Sequence, residues 1–122
     1  MYIFYNLAVQ TWCSSNNLIH GLWPDYSSTT YPSFCAGLPF DLDLLKQSPK
    51  YDEISKYWYD CTQDETYSLY EHEWSKHGTC VAAQTGFTQN EDFEKALELF
   101  MANNDGGCYD LEFAPIDCLS VA

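Results

Sequence analysis

The chain contains no arginine and little positive charge of any kind. Its 122 residues carry 18 acidic side chains against five lysines, and the formal net charge at pH 7 is −13. Such a charge repels nucleic acid at neutral pH, because phosphate binding normally depends on Lys and Arg. It permits such a partner at acid pH, where carboxylates become neutral and we expect the histidines to be cationic.

Several sequence signals are also missing. No stretch approaches the roughly 18 consecutive apolar residues of a membrane helix, so we expect no membrane segment. The first residues lack the basic start and long apolar run of a signal peptide. No Asn-x-Ser/Thr acceptor for glycosylation is present. With 46% hydrophobic residues, the chain is expected to form one domain, residues 1–122, with a modest packed core.

Six cysteines are present without any Cys-x-x-Cys pair. An even number without that pair favours a disulfide framework in an oxidising compartment over a zinc site. Six cysteines allow fifteen pairings, and the spacing alone does not choose among them.

Alternation of apolar and polar residues predicts two strands in the first part of the chain, from Ile3 to Trp12 and from Leu18 to Pro24. In the second strand, if Ile19 points into the core, His20 faces the other way. The segment from Asp25 to Pro39 is rich in Ser, Thr, Tyr and Pro, which predicts a long loop.

Helical periodicity appears in the second part. A helix is predicted from Asp41 to Gln47, and another begins with Pro49 as its first residue. The apolar face of that second helix is formed by Tyr51, Ile54 and Trp58. Thr88 and Glu91 form a capping box. The helix that follows presents a core stripe of Phe93, Ala96, Leu97, Phe100 and Met101.

The last segment, from Cys108 to Val121, changes its apolar phase around Pro115 and predicts an edge strand or a bulged strand. With the two N-terminal strands and the helices, it indicates the α+β class. We expect a small antiparallel β-sheet with helices packed on one side, stapled by disulfides.

Titratable side chains are concentrated between Glu71 and Cys80, a stretch that holds two of the three histidines. Ser68 and Glu71 predict a capping box at the start of a helix, and Gly78 predicts its end. At about 100° per residue, four side chains then fall within an arc of roughly 140°. They are His72, Glu73, Lys76 and His77.

A zinc site is the first chemistry to test. The His-Glu-x-x-His pattern places two histidines four residues apart on one helix face. His72 and His77 are five apart, which turns them roughly 140° from each other on an α-helix, so we expect no metal. A covalent nucleophile is not indicated either, because no Gly-x-Ser-x-Gly turn is present.

Metal-free acid–base catalysis fits the residues better. It needs two groups that titrate near the working pH, together with cations for developing negative charge. His20 and His77 are candidates for the pair, and Lys76 and His72 for the cations. RNA supplies its own nucleophile, the 2′-hydroxyl, so such a site needs no cofactor. The plain alternative is a solvated, charged end of a helix.

Two segments resemble the active-site motifs of the ribonuclease T2 family: Ile19–Asp25 (IHGLWPD) and His72–Cys80 (HEWSKHGTC). The resemblance extends to Tyr31–Cys35, to the helix start at Pro39–Leu42 and to the helix Phe93–Phe100. It implies a secreted, vacuolar or lysosomal acid ribonuclease. Because the chain is shorter than is usual for the family, we expect a compact or truncated member that lacks C-terminal strands.

The resemblance also implies residue roles. His77 would accept the proton of the 2′-hydroxyl and His20 would protonate the leaving 5′-oxygen, giving 2′,3′-cyclic phosphates and then 3′-phosphates. His72 would bind the phosphate, while Glu73 and Lys76 would stabilise the phosphorane. Glu73, one helical turn before His77, is expected to hold its imidazolium.

By the same resemblance, Trp23, Asp25 and Tyr31 would bind a base, Trp23 by stacking and Asp25 by accepting from an exocyclic amine. The alternative for Trp23 is an ordinary core position. The resemblance also implies a bridge between Cys35 and Cys80. The other pairings stay open; one of them closes the last segment with Cys108 and Cys118 and leaves Cys13 with Cys61.

The function expected is a metal-independent endoribonuclease that cleaves single-stranded RNA at acid pH, as a monomer without membrane contact. The main alternative is a secreted RNA-binding or effector protein of the same fold with weak catalysis. A metal-dependent hydrolase is a further alternative.

Overall fold

A computed structural model describes residues 4–13, 16–27, 29–63 and 65–121, apart from the side chains of residues 120 and 121. Its strands are Phe4–Gln10 (β1), Leu18–Asp25 (β2), Gly107–Tyr109 (β3) and Pro115–Ile116 (β4). Its α-helices are Leu42–Lys46 (α1), Tyr51–Tyr57 (α2), Tyr67–Glu73 (α3), Thr79–Thr85 (α4) and Gln89–Ala102 (α5). A π-helical segment, Trp74–Gly78, joins α3 to α4, and a 3₁₀ turn covers Cys118–Val121.

The strands form one antiparallel sheet in the order β2-β1-β3-β4. Tyr5, Leu7 and Ile19 of the sheet are almost fully buried and belong to the same core cluster as helix residues Ile54 and Phe93. Burial of this shared apolar face is the main force that holds helices and sheet together. The predicted α+β class is confirmed.

The first predicted strand is confirmed, but it ends at Gln10 rather than Trp12. Ile3, its expected first residue, lies outside the described residues. The Gln10 side chain is 2% exposed, and its amide donates to the carbonyls of Ile19 and Tyr59 at 2.8 Å each. These bonds satisfy a buried polar group and tie β1 to β2 and to the chain after α2.

The second strand is confirmed with its end at Asp25, and the long loop follows it. Helix α2 begins at Tyr51, so the prediction that Pro49 is its first residue was wrong. The turn before it is closed by Ser48, whose hydroxyl accepts the amide of Lys50 at 3.1 Å. Its expected apolar face is present, since Ile54 is fully buried and Trp58 is 2% exposed.

The predicted limits of the central helix were wrong at both ends. Thr66 occupies the N-cap position, and both the amide and the hydroxyl of Ser68 donate to the carboxylate of Glu65 instead of forming a capping box. Gly78 has helical dihedral angles and continues into α4. The helix ends only at Gly86, whose φ of 80° is the left-handed conformation that glycine adopts without strain.

Helix α5 confirms the predicted capping box of Thr88 and Glu91, with both reciprocal hydrogen bonds present. The core stripe is confirmed in Phe93, Ala96, Leu97 and Phe100, all buried. Met101 is 52% exposed, so its assignment to the core was wrong. One residue beyond Phe100 it is rotated by about 100°, which carries it off the buried face.

The C-terminal segment is a short hairpin rather than one edge strand. Strand β3 pairs with β1 through Tyr109 and Tyr5, and β4 pairs with β3. The turn between them is held by the Asp110 carboxylate, which accepts the amides of Glu112 and Ala114.

The described residues contain the expected Cys35–Cys80 bridge, and they settle the pairings that the sequence left open as Cys13–Cys61 and Cys108–Cys118. Within the same residues, none of the helices has the length and apolar character needed to cross a membrane.

Candidate active site

A cleft of about 540 Å³ opens between β2, the loop after β2 and the helix formed by α3 and the π segment. All eight residues that the sequence assigned to catalysis or base binding line it: His20, Trp23, Asp25, Tyr31, His72, Glu73, Lys76 and His77. The two motifs are about fifty residues apart in the chain and meet in one concave space. That proximity is the geometric condition for acid–base chemistry on one substrate.

A β-bulge gives His20 its place in the cleft. Ile19 and Gly21 pair with successive residues of β1, so His20 is the extra residue of β2. Ile19 is fully buried and His20 lines the cleft, as the alternation predicted. A bulge also shifts the strand phase by one residue, which explains why Trp23, three residues further on, lines the same cleft.

The helix side of the cleft carries its own irregularity. In the π segment Trp74–Gly78 the backbone bonds run from residue i to i+5, so residues five apart lie more nearly on one face than in an α-helix. The arc of roughly 140° predicted for the four side chains assumed a regular α-helix, so it does not apply within the π segment. His72 and His77 both line the cleft nevertheless, together with Lys76.

Contacts with the long loop hold the π segment in place. The Trp74 indole donates to the carbonyl of Leu38 at 2.7 Å, and the amide of Phe34 donates to the carbonyl of Lys76 at 2.9 Å. The Cys35–Cys80 bridge lies next to the second bond. The loop is thus fastened to the helix at three points, which positions Tyr31 over the cleft.

Glu73 links the two sides of the cleft. Its side chain is 3% exposed; Oε1 accepts the Trp23 indole N–H at 2.7 Å, and Oε2 lies 3.4 Å from His20 Nδ1. The second contact lacks hydrogen-bond geometry and is an ion pair when His20 is protonated. A Cβ on Gly21 would collide with Glu73 Oε1, so glycine is needed for this close approach.

This arrangement corrects one sequence expectation. Glu73 was assigned to the His77 imidazolium, but its ion-pair contact in the structure is with His20. Its negative charge still acts on His77 at longer range, raising the pKa of that imidazole against the larger effect of burial. The carboxylate therefore serves both histidines, His20 by contact and His77 by its field.

His77 is the most enclosed of the site histidines. It is 4% exposed and stacks on the Trp23 ring, with centroids 4.6 Å apart and planes 20° apart. Its pKa is lowered to about 4, mainly by burial; the negative charge of Glu73 raises it, and the positive charges of Lys76, His72 and His20 lower it. The expectation that all site histidines are cationic at acid pH is thus wrong for His77, whose imidazole stays neutral down to about pH 4.

Asp25 also departs from its ordinary behaviour. Burial raises the pKa of its carboxyl to about 6. Below that pH the group is protonated and can donate a hydrogen bond, so it does not act purely as the acceptor inferred from the sequence. Tyr31 is 48% exposed, 6.0 Å from the His77 ring and 5.4 Å from Lys76 Nζ.

Some residues that shape the cleft were missed. Asn6 and Ser27 line it. Asn6 lies on the strand face opposite Tyr5 and Leu7, and that alternation was the signal available in the sequence. Nothing in the sequence pattern marked Ser27.

The sequence pattern also missed Asp92 of α5, which packs against the π segment and does not line the cleft. It is 4% exposed, and its Oδ1 has no hydrogen-bond partner among the described residues. A Cβ on Gly78 would lie 2.7 Å from its Oδ2, so the carboxyl packs directly against the π segment. Burial, and then the charge of Glu73, raises the pKa of Asp92 to about 8.

A metal site needs several donor side chains that converge on one point. Among the residues that the structure describes, no group of three or more His, Cys, Asp or Glu side chains has the arrangement to hold a metal ion.

Comparison with known proteins gives consistent matches. The model of the Ribonuclease T2 family matches residues 5–106. Ribonuclease 1 of Arabidopsis thaliana is 38% identical over 109 residues, covering 77% of this chain and 46% of the relative. Ribonuclease DdI of Dictyostelium discoideum is 34% identical over 113 residues, covering 84% of this chain and 49% of the relative. The chain spans about half the length of these curated relatives.

Solved structures match as well. Ribonuclease MC1 from the seeds of bitter gourd superposes with a TM-score of 0.66 at 27% identity, covering 90% of this chain and 60% of that one. A mutant of ribonuclease MC1 in complex with 5′-GMP gives a TM-score of 0.67 at 27% identity, with the same coverage.

Proposed function

The chain belongs to the ribonuclease T2 family, and on this premise we propose that it is a metal-independent endoribonuclease that cleaves single-stranded RNA at acid pH. The single observation that carries the proposal is that His20 and His77 both contact the Trp23 ring within one cleft. The Trp23 ring lies 5.2 Å from His20 and 4.6 Å from His77. Both imidazoles therefore lie against the same ring and line the same cleft, which supports their acting on one substrate as acid and base.

In the proposed first step His77 takes the proton of the 2′-hydroxyl. The 2′-oxygen bonds to phosphorus, the bond from phosphorus to the 5′-oxygen breaks, and His20 gives its proton to that oxygen. A 2′,3′-cyclic phosphate results. The lowered pKa of His77 supports its role, since an acceptor has to be neutral at the working pH. The Glu73 carboxylate beside His20 supports the donor role, because it stabilises an imidazolium.

The second step hydrolyses the cyclic phosphate with the roles reversed. His20, now neutral, accepts a proton from water, whose oxygen bonds to phosphorus. The bond from phosphorus to the 2′-oxygen breaks, and His77 returns its proton to that oxygen. The product has a 3′-phosphate end.

The charge that develops on the phosphate needs cations in the same cleft. Lys76 and His72 are proposed for this role, Lys76 as a fixed charge and His72 as a phosphate ligand. Both line the cleft, His72 from the last turn of α3 and Lys76 from the π segment, which supports this role.

A base site is proposed from Trp23, Asp25 and Tyr31. One face of Trp23 is covered by His77, so a base can stack only on its other face or on the half-exposed Tyr31 ring. Asp25, protonated below about pH 6, would donate to an acceptor on the base edge. The 5′-GMP bound by a ribonuclease MC1 mutant supports a nucleotide ligand for this family member.

We further propose that residues 1–122 act as one extracytoplasmic, ribonuclease T2-like domain and work as a monomer, secreted or delivered to a vacuole or lysosome. Three disulfide bridges support this location, because disulfides persist in oxidising compartments.

One observation favours a second candidate, an RNA-binding or effector protein without turnover. His77 is 4% exposed beneath Trp23, which leaves little of its imidazole accessible to a substrate hydroxyl. In that case the cleft would bind RNA and cleavage would be weak.

Incubation of the protein with RNA at pH 4 to 5, with and without EDTA, separates these functions. The proposal predicts cyclic-phosphate products whose rate of formation is unchanged by EDTA. Loss of cleavage with EDTA would favour a metal-dependent hydrolase. Binding without cleavage would favour the effector.

A further inference from the structure

Two exposed aromatic rings stand at the cleft histidines. Trp12 is 59% exposed and Phe34 is 62% exposed, the two highest values for aromatic side chains among the described residues. The Trp12 ring meets His20 edge to face, with centroids 6.0 Å apart, and the Phe34 ring meets His72 in the same way at 6.5 Å. Each ring thus presents most of its surface to solvent beside the cleft.

Both rings are fixed to rigid backbone. Trp12 directly precedes Cys13 of the Cys13–Cys61 bridge, and Phe34 directly precedes Cys35 of the Cys35–Cys80 bridge. The Phe34 amide also donates to Lys76, and its φ of 51° is a left-handed conformation that a bulky residue rarely adopts. Such strain persists only where surrounding contacts enforce it, and it is concentrated at functional sites. A ring held in this way loses little entropy when a ligand stacks on it.

A single exposed apolar residue is ordinary on a protein surface. The combination here differs in three respects: both rings adjoin a cleft histidine, both are anchored at a bridged cysteine, and neither belongs to the core cluster. A flat ring in water beside a cleft that holds Lys76 suits a nucleobase, because stacking on an aromatic face accepts every base.

We propose that the cleft binds a single strand of at least four nucleotides, with Trp12 and Phe34 each stacking a base outside the pair that flanks the scissile phosphate. Trp12, beside the proposed proton donor His20, takes the base on the 3′ side. Phe34, three residues after Tyr31 of the proposed base site, takes the base on the 5′ side. The direction of the strand rests on the proposed function; the stacking itself does not.

Equilibrium binding of oligothymidylates of two, three and four nucleotides at pH 5 tests the stacking without any need for cleavage. The wild type should gain affinity with each added nucleotide. In Trp12→Leu and in Phe34→Leu the ratio of tetramer to dimer affinity should fall about tenfold, the order expected for loss of one stacked base. Tyr67→Leu is the control, since its ring is 46% exposed and packs on Phe40 rather than on a cleft histidine.

A cleavage assay tests which end of the strand each ring binds. The substrates are oligodeoxynucleotides that contain one ribose at the scissile position and are extended by one nucleotide on the 5′ or the 3′ side. Trp12→Leu should reduce the gain in kcat/KM from the 3′ extension, and Phe34→Leu the gain from the 5′ extension. Equal tetramer-to-dimer ratios in wild type and both variants would overturn the inference, whether or not RNA is cleaved. Absence of cleavage with the length effect intact would instead reject the proposed function and leave the stacking surfaces standing.

Discussion

The two sides of the cleft place a histidine by different means. On the strand side one extra residue forms a bulge at His20, whose side chain is 28% exposed and lies beside Glu73. On the helix side a π-helical segment carries His77, which is 4% exposed beneath Trp23. Both irregularities redirect a side chain toward the same space. Burial distinguishes the two histidines, and under the proposed function it assigns the proton acceptor to the buried one.

The largest expected effect is the loss of either histidine. His20→Ala and His77→Ala should each lower kcat on RNA by about 10²- to 10⁴-fold, the range for removal of a positioned acid or base. Added imidazole should restore activity to His20→Ala more than to His77→Ala, because the site left by His20 is open to solvent and that of His77 is enclosed.

Thermal unfolding of both variants provides the control, since an intact Tm separates lost chemistry from lost fold. A variant that retained the wild-type rate would remove its histidine from the mechanism. Equal rescue of both variants would contradict the contrast in burial.

The next effect comes from the charges around His77. Glu73 raises the pKa of His77 and Lys76 lowers it. Glu73→Gln should therefore move the acid limb of the pH profile of kcat/KM to lower pH, and Lys76→Gln should move it to higher pH. Both should reduce the rate, Glu73→Gln by about 10²-fold through loss of its contacts to Trp23 and His20. Shifts in the same direction for the two variants would refute the proposed electrostatics.

Two glycines allow a matched test of the two sides. A Cβ at Gly21 meets Glu73, whereas a Cβ at Gly78 meets Trp74 and Asp92. Each Gly→Ala change should lower the free energy of unfolding by about 1–3 kcal/mol through overpacking. The activity of Gly21→Ala should fall by more than unfolding of the variant explains, because the added methyl group displaces the Glu73 carboxylate that contacts His20. Urea unfolding and kcat/KM measure both effects; full activity in Gly21→Ala would show that this close approach is not required.

Where Asp92 packs against the π segment, the expected effect is on stability and its dependence on pH rather than on activity. Burial raises the pKa of Asp92 to about 8 in the folded protein. The stability associated with its neutral form is fully present below its ordinary pKa near 4 and is lost as pH rises through about 8. The Tm of Asp92→Asn relative to wild type should therefore increase between pH 4 and pH 8. A constant difference across that range would indicate that Asp92 does not titrate in this way.

Features that depend on neighbours in sequence were predicted well. The capping box of Thr88 and Glu91 is confirmed because its two hydrogen bonds lie within one turn. The opposite orientation of Ile19 and His20 is confirmed because strand alternation is local. Both motifs were recognisable from their residues, and all eight assigned side chains line one cleft.

Features that depend on distant contacts were not predictable. The π segment is held by Leu38 and Phe34 of the loop, so a periodicity argument had no access to it. Ser68 carries a capping-box signal, but its hydroxyl and amide find Glu65 instead. The lowered pKa of His77 arises from burial under Trp23, which only the assembled fold supplies.

The most direct measurement is an NMR titration of the His77 imidazole, which is practicable because the chain has only three histidines. The His77→Ala variant assigns its signal. A pKa of about 4, well below the ordinary value of 6.5, would establish that the buried side of the cleft holds a neutral proton acceptor at acid pH. A pKa at or above 6.5 would contradict the division of roles between His20 and His77.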